Sequence, residues 1–307
     1  MQGNSEHTMR LGQFMTKGGD GPWVGAVVDD SVVHLERAGS AAGIDLPGSM
    51  RSLLEQWEWK RKVELTLEHA LDEGEATHNH DELHAAAPVL QPEKIVAVGL
   101  NYRDHAIEGG NEIPDSPVIF TKFPPAVNAP GQPIEWDPTV AEQVDYEAEL
   151  VVVIGRTARE VDRDEAWESI AGFTVGNDVS ARDLQYGDGQ WVRGKSLDTF
   201  APIGPTIVTR DEIDDPHDLE IWAEVNGERL QESSTSELIF QVDELVSFIS
   251  QTTTLRPGDL LFTGTPPGVG VHRDPPVLLS EGDEVTIGID GIGTLTNPCQ
   301  FRGNDEV

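Results

Sequence analysis

Cysteine occurs once in 307 residues, as Cys299, so an internal disulfide is excluded and a reducing compartment suits the chain. Long apolar runs are missing too. The opening MQGNSEHTMRLGQF has no apolar core of the signal-peptide kind, and no later run approaches a membrane span. A cytoplasmic protein is expected, with Met9 as an alternative start and residues 1–8 as a polar extension. Positive charge is the third scarcity: 21 Lys and Arg, six of them Lys, stand against 55 Asp and Glu for a net charge of −34. That field repels nucleic acid and anionic membranes and argues against both as partners. The acids are spread along the whole chain, which points to a halophile's cytoplasm, where concentrated salt screens self-repulsion. Internal repeats and coiled-coil heptads are absent.

What is present centres on residues 144–155, VDYEAELVVVIG. The Leu, Val and Ile run reads as a strand entering a buried sheet. Alternate side chains of a strand share a face, so Glu147 and Glu149 point the same way, their Cα atoms about 6 to 7 Å apart. Two carboxylates beside a buried apolar run are costly unless a cation or shared proton compensates. Oxygen donors of this kind suit Mg2+, Mn2+ or Ca2+. The alternative is a solvated edge strand.

Upstream, residues 9–36 alternate short β-like pieces with Gly and Asp turns, and Met50 to Leu71 has rough helical spacing. Residues 72–92 turn polar and read as a linker. The expected organisation is a small N-terminal α+β domain with its linker over 1–88 and a main domain over 89–307. His78, His80 and His84 fall in the linker, and their spacing matches no closed tetrahedral zinc set. In the main domain, His105 and Glu108 are three apart and share a helical face, so the carboxylate can orient the imidazole. Asp178 sits where an apolar strand yields to polar loop. Residues 189–196, GQWVRGKS, satisfy a phosphate-loop pattern. They lack the apolar strand before it, and Pro202 and Pro205 forbid a long helix after it, so nucleotide binding is rejected. Lys195 is left as a lysine unlike surface decoration in so lysine-poor a chain. Helices are expected at Asp164 to Ile170 and Val242 to Gln251, a hairpin at Asn226-Gly227, and short strands elsewhere. The class is mostly β with α+β elements.

Taken in order, GLNYRDHAIE, PVIFTK, DYEAELVVVIG, GFTVGNDVSARDLQ, RGKS and GDLLFTGTPPGVG resemble the fumarylacetoacetate hydrolase family, in its acylpyruvase, decarboxylase and isomerase branch. The resemblance covers about residues 90–300 and implies a β-sandwich roll, a homodimer and a Mg2+, Mn2+ or Ca2+ ion. It implies Glu147, Glu149 and Asp178 as metal ligands, and His105 with Glu108 as a water-activating dyad. Lys195 would be the catalytic lysine, with Arg182, Gln185 and Thr265 holding a substrate carboxylate and oxyanion. A further upstream Asp ligand of the eponymous enzyme falls at about Val98 here, which argues against fumarylacetoacetate as the substrate. The activity implied is hydrolytic carbon–carbon cleavage of an acylpyruvate-type 2-oxo acid, with the enolate charge borne by the metal. Alternatives are decarboxylation or isomerisation of 2-oxo or 2-hydroxydienoic diacids, oxaloacetate among them, and a non-catalytic cation-binding scaffold.

Overall fold

All seven residues of the strand Ala148–Ile154 are buried, because it lies inside a sheet with a core on each face. The computed structural model of the chain describes residues 9–19, 21–73, 77–110 and 112–303; the polar extension 1–8 lies outside them. Antiparallel neighbours flank the strand, Ile170–Asn177 on one side and Leu260–Phe262 on the other. From there the sheet runs one way through Ile95–Gly99 to Val118–Lys122, and the other way through Ala201–Thr209 and Arg10–Thr16 to Trp23–Val28, Ser31–His34 and Thr77–Asn79. Along this path only the pairing of Leu260–Phe262 with Ile95–Gly99 is parallel.

The period of two sorts the strand's side chains between two cores. Leu150, Val152 and Ile154 pack with Phe173, with Ile221, Ile287 and Leu295 of a second, five-stranded sheet, and with Val242, Leu245 and Ile249 of the helix Val242–Ser250. Val151 and Val153 pack with Leu11, Val24, Met50 and Leu53 from the N-terminal region. Among the described residues strand outweighs helix, 35% against 26%, in keeping with the mostly β expectation. Asn226 and Gly227 take φ of 53° and 79°, the left-handed pair a tight hairpin needs between Glu220–Val225 and Glu228–Ser234. No helix of the described residues is long and apolar enough to cross a membrane.

Two local expectations need correction. The helix over 50–71 is two, Met50–Leu54 and Trp59–Glu73, broken at residues 55–58, where Glu58 takes a left-handed φ of 55°. The linker around His78 to His84 is not a solvated loop. Thr77–Asn79 pairs with Ser31–His34, and Leu83–Ala86 pairs with Arg10–Thr16. His78 lies 5.1 Å from the Trp23 ring, and neither it nor His80 or His84 belongs to a potential metal-ligand cluster among the described residues. The pairing partners are supplied by distant strand edges, which local composition does not reveal.

Leu11 is fully buried, lies opposite Ile207 in register and shares a core with Val151. Leu11→Ala is expected to cost about 2–5 kcal/mol and to lower one common calorimetric transition. Two resolved transitions with only one shifted would show the N-terminal region melting by itself.

Candidate active site

Strand register assembles the carboxylates. Ala148 is opposite Asn177, so Glu147 is opposite Asp178, whose N–H donates to the Glu147 carbonyl at 3.0 Å. The Asn177 side chain accepts from the Glu147 N–H at 3.0 Å. Glu149 is thus on the strand, Glu147 is the residue just before it, and Asp178 lies opposite Glu147 just past the end of the neighbouring strand. Carboxylate oxygens of Glu147, Glu149 and Asp178 all lie within 4.8 Å of one another, and all three residues are buried.

Cations converge on this cluster from three separate elements. Lys195, on the short helix Trp191–Lys195, donates to Glu147 Oε2 at 2.6 Å and to Asp178 Oδ2 at 2.9 Å. Gly194 makes that approach possible, since a Cβ there would stand 2.6 Å from the Ala181 carbonyl and 2.7 Å from the Gln185 nitrogen. Lys122, at the end of Val118–Lys122, is fully buried and pairs with Asp178 Oδ1. Arg182 reaches Glu147 Oε1 at 2.8 Å, Gln185 Oε1 at 3.0 Å and Asp145 Oδ2 through Nε at 2.9 Å and Nη2 at 2.8 Å. Two of its N–H donors make hydrogen bonds, to Asp145 and Gln185, and the remaining contacts are close ion pairs.

The electrostatic consequence is uneven. Burial opposes ionisation of Glu147, but Lys195 and Arg182 overcome it and hold this carboxyl down at about 2. Burial likewise opposes the charge on Lys195, yet Asp178 and Glu147 raise its pKa, so it stays an ammonium. Burial pulls Lys122 down, with Asp178 opposing and Lys195 assisting. Among the described residues Glu149 has no cationic partner of its own. It accepts the Gly264 N–H at 2.7 Å, and burial, then Asp178 and Glu147, push its pKa well above the carboxylate range. Beside it Tyr102 is fully buried, and its hydroxyl has no hydrogen-bond partner among the described residues. With Glu149 ionised, Asp145, Glu147, Glu149 and Asp178 would carry one negative charge more than Arg182, Lys195 and Lys122 balance, which is why Glu149 holds its proton in the absence of a further cation. Three hard oxygens around an uncompensated carboxylate fit a divalent ion of the Mg2+, Mn2+ or Ca2+ type.

The dyad sits at the cavity wall. His105 and Glu108 share the helix Arg103–Glu108, with Nδ1 3.1 Å from Glu108 Oε2, and the Gly268 N–H donates to Glu108 Oε1 at 2.9 Å. With Nδ1 engaged, Nε2 carries the lone pair. A cavity of about 160 Å³ is lined by His105, Glu147, Glu149, Arg182, Gln185, Lys195 and Thr265, together with Val98, Phe120, Trp191 and His272. This is well below the roughly 300–1,000 Å³ of pockets for drug-sized ligands, so it suits a small organic acid. Thr265 accepts from Gln231 at 2.9 Å and keeps its own proton to donate; Gln185 has its oxygen on Arg182, leaving its amide nitrogen for a ligand. Val98 lines the cavity and brings no oxygen.

Sequence reasoning missed Lys122, Asp145 and Gln231. Lys122 is one of only six lysines and closes an apolar strand, and Asp145 continues the alternation of 147 and 149. Both signals were readable. Gln231 is set by the second sheet alone, where its Oε1 accepts the Ala148 N–H at 2.9 Å.

Fold and site together define an enzyme with a carboxylate–lysine centre buried between the two cores of a β roll. The chain belongs to the fumarylacetoacetate hydrolase family: the family described as fumarylacetoacetate (FAA) hydrolase C-terminal matches residues 94–300. It is 40% identical over 295 residues, 95% of this chain and 90% of the relative, to the mitochondrial oxaloacetate tautomerase fahd2 of Xenopus laevis. The solved 2-hydroxyhepta-2,4-diene-1,7-dioate isomerase of Mycobacterium marinum is similar at TM-score 0.74 and 35% identity, covering 97% of this chain and all of that one. Maleylpyruvate hydrolase from Sphingobium sp. SYK-6 is similar at TM-score 0.77 and 30% identity, covering 96% and 100%. Membership of this enzyme family sets the non-catalytic scaffold aside.

In chelator, Glu149 is expected to make stability fall with pH. Its folded pKa is raised, so its contribution is full below the unfolded value of about 4.3 and is lost as pH rises through the folded one. Glu147, depressed to about 2, works the other way, contributing above its unfolded value and losing that as pH falls towards 2. Thermal melts of metal-free wild type and Glu149→Gln across pH check this; an unchanged slope in the variant would remove Glu149 as the source.

Proposed function

We propose that the protein catalyses keto–enol proton transfer in a small 2-oxo diacid of the oxaloacetate type. The observation that carries this reading is that His105, a base oriented by Glu108, and Lys195, whose pKa its carboxylates raise, line one small cavity. The tautomerase relative at 40% identity over 95% of the chain supports it. His105 removes a proton from the carbon next to the 2-oxo group, and the resulting imidazolium is stabilised by Glu108. Negative charge moves to the 2-oxo oxygen, where the Lys195 ammonium, the Gln185 amide and the Thr265 hydroxyl offer hydrogen bonds. The proton then passes to that oxygen, giving the enol, and the reverse order gives the ketone. Lys195 acts as a cation throughout, since the carboxylates around it keep it protonated. Arg182 retains N–H donors for a substrate carboxylate while its charge pairs with Glu147. Glu147, Glu149 and Asp178 would hold Mg2+, Mn2+ or Ca2+, which supplies Lewis-acid polarisation of the substrate carbonyl.

A second reading is hydrolysis of an acylpyruvate-type acid, favoured by the His105–Glu108 pair, which can deprotonate a water as well as a carbon acid, and by the likeness to maleylpyruvate hydrolase. Decarboxylation or isomerisation would use the same charge-stabilising groups. Ultraviolet decay of enol-oxaloacetate is expected to accelerate with wild type and Mg2+ or Mn2+, and to slow on chelation. His105→Ala is expected to lose about 10²–10⁴-fold. Pyruvate release from acetylpyruvate with no acceleration of the enol decay would favour hydrolysis instead.

We further propose a halophile's cytoplasm, supported by the net charge of −34 and the single cysteine, and a homodimer, for which only the family resemblance speaks. The Debye length lengthens from about 3 Å at 1 M salt to about 10 Å at 0.1 M. Dilution over that range is expected to lower the melting temperature, and an invariant melting temperature would contradict the halophilic assignment.

A further inference from the structure

Glu108 faces two imidazoles, and the second belongs to a residue that the proposed reaction does not use. Its Oε2 lies 3.1 Å from His105 Nδ1 and 3.6 Å from His272 Nδ1. The two rings stack with centroids 5.7 Å apart and 28° between planes. One ligand atom from each of His105, Glu108 and His272 lies within 4.8 Å of the other two. A tetrahedral zinc ion with Zn–N of about 2.0–2.1 Å and Zn–O of about 2.0–2.2 Å sets its donors roughly 3.3–3.5 Å apart, and the two measured edges bracket that spacing. His272 is also firmly placed. It ends the 3₁₀ turn Gly270–His272, and the Gly270 and Val271 N–H groups donate to buried Asp145 at 2.7 and 3.1 Å.

Donor chemistry separates this cluster from the carboxylate site. Two imidazole nitrogens and one carboxylate oxygen suit a borderline ion such as Zn2+, whereas three carboxylates suit Mg2+ or Ca2+. His105 and His272 both line the cavity, so the fourth position of a bound ion opens into it.

We propose that His105, Glu108 and His272 form a second cation site, selective for Zn2+ over Mg2+, whose occupation silences His105. Zinc on Nδ1 moves the ring proton to Nε2, which then has no lone pair to present to the cavity. Glu108 becomes a ligand and no longer orients the imidazole. The binding site stands whatever the reaction; its inhibitory effect rests on the proton-transfer reading above.

Calorimetric titration of Zn2+ into Mg2+-saturated protein tests it. Wild type is expected to bind one Zn2+ per chain. His272→Phe keeps the ring stack without a ligand atom and is expected to weaken that binding by about tenfold or more, and His272→Gln serves should the phenylalanine variant fail to fold. Glu149→Gln is expected to retain the site. Zn2+ is expected to inhibit wild-type turnover more than that of the His272 variants. Absence of zinc binding to the Mg2+-loaded protein, binding indifferent to both His272 substitutions, or binding lost in Glu149→Gln would each overturn the proposal, the last by showing that zinc had entered the carboxylate site.

Discussion

Four buried carboxylates against three buried cations is the constraint on which this molecule depends. Each such ion costs several kcal/mol to take out of water, and the cost is recovered only with close, multiply hydrogen-bonded partners. Asp145 meets it with Arg182 and three backbone N–H groups, Glu147 with Lys195 and Arg182, and Asp178 with Lys195 and Lys122. Glu149 alone has no cation among the described residues. A dication at that point would allow Glu149 to ionise and leave the cluster at plus one, the sign that attracts an anionic substrate.

The same interactions tie the cluster to the groups that move protons. Asp145 holds Arg182 with one oxygen and the turn at Gly270 with the other, and two residues earlier Gly268 anchors Glu108. Asn101 fixes the other end of the dyad's segment, donating to the Phe240 and Thr263 carbonyls at 3.1 and 2.7 Å. The helix bearing His105 is therefore positioned by the strand that carries the carboxylates and by the loop that carries Thr265 and His272. Charge, geometry and proton transfer share one scaffold.

Legibility from sequence was uneven for physical reasons. The β class, the hairpin at Asn226-Gly227 and the helix at Val242 were readable because each rests on local periodicity or left-handed turn chemistry. The helix expected at Asp164 to Ile170 was readable only in its existence: it runs over Arg163–Glu168, capped by Asp162, whose side chain accepts the Glu165 N–H at 2.9 Å, and Ile170 already opens the next strand. The phosphate-loop pattern was rightly discarded, since Arg182–Gly187, not a strand, precedes it and Lys195 faces carboxylates. The strands at Thr77–Asn79 and Leu83–Ala86 were not readable, because their hydrogen bonds go to residues far away in the chain. Glu147, Glu149 and Asp178 could be singled out because unlike residues sat beside apolar runs; Gln231 gave no such sign.

Alternation by itself determined that Glu147 and Glu149 share a face, and spacing by itself that His105 and Glu108 share a helical turn, since both follow from backbone periods that any strand or helix obeys. Only tertiary structure decided that Asp178 stands opposite Glu147, that Lys122 and Arg182 neutralise this cluster, and that His272 stacks on His105. Those contacts join residues tens to hundreds of positions apart, and strand register and loop packing, which no local pattern encodes, bring them together.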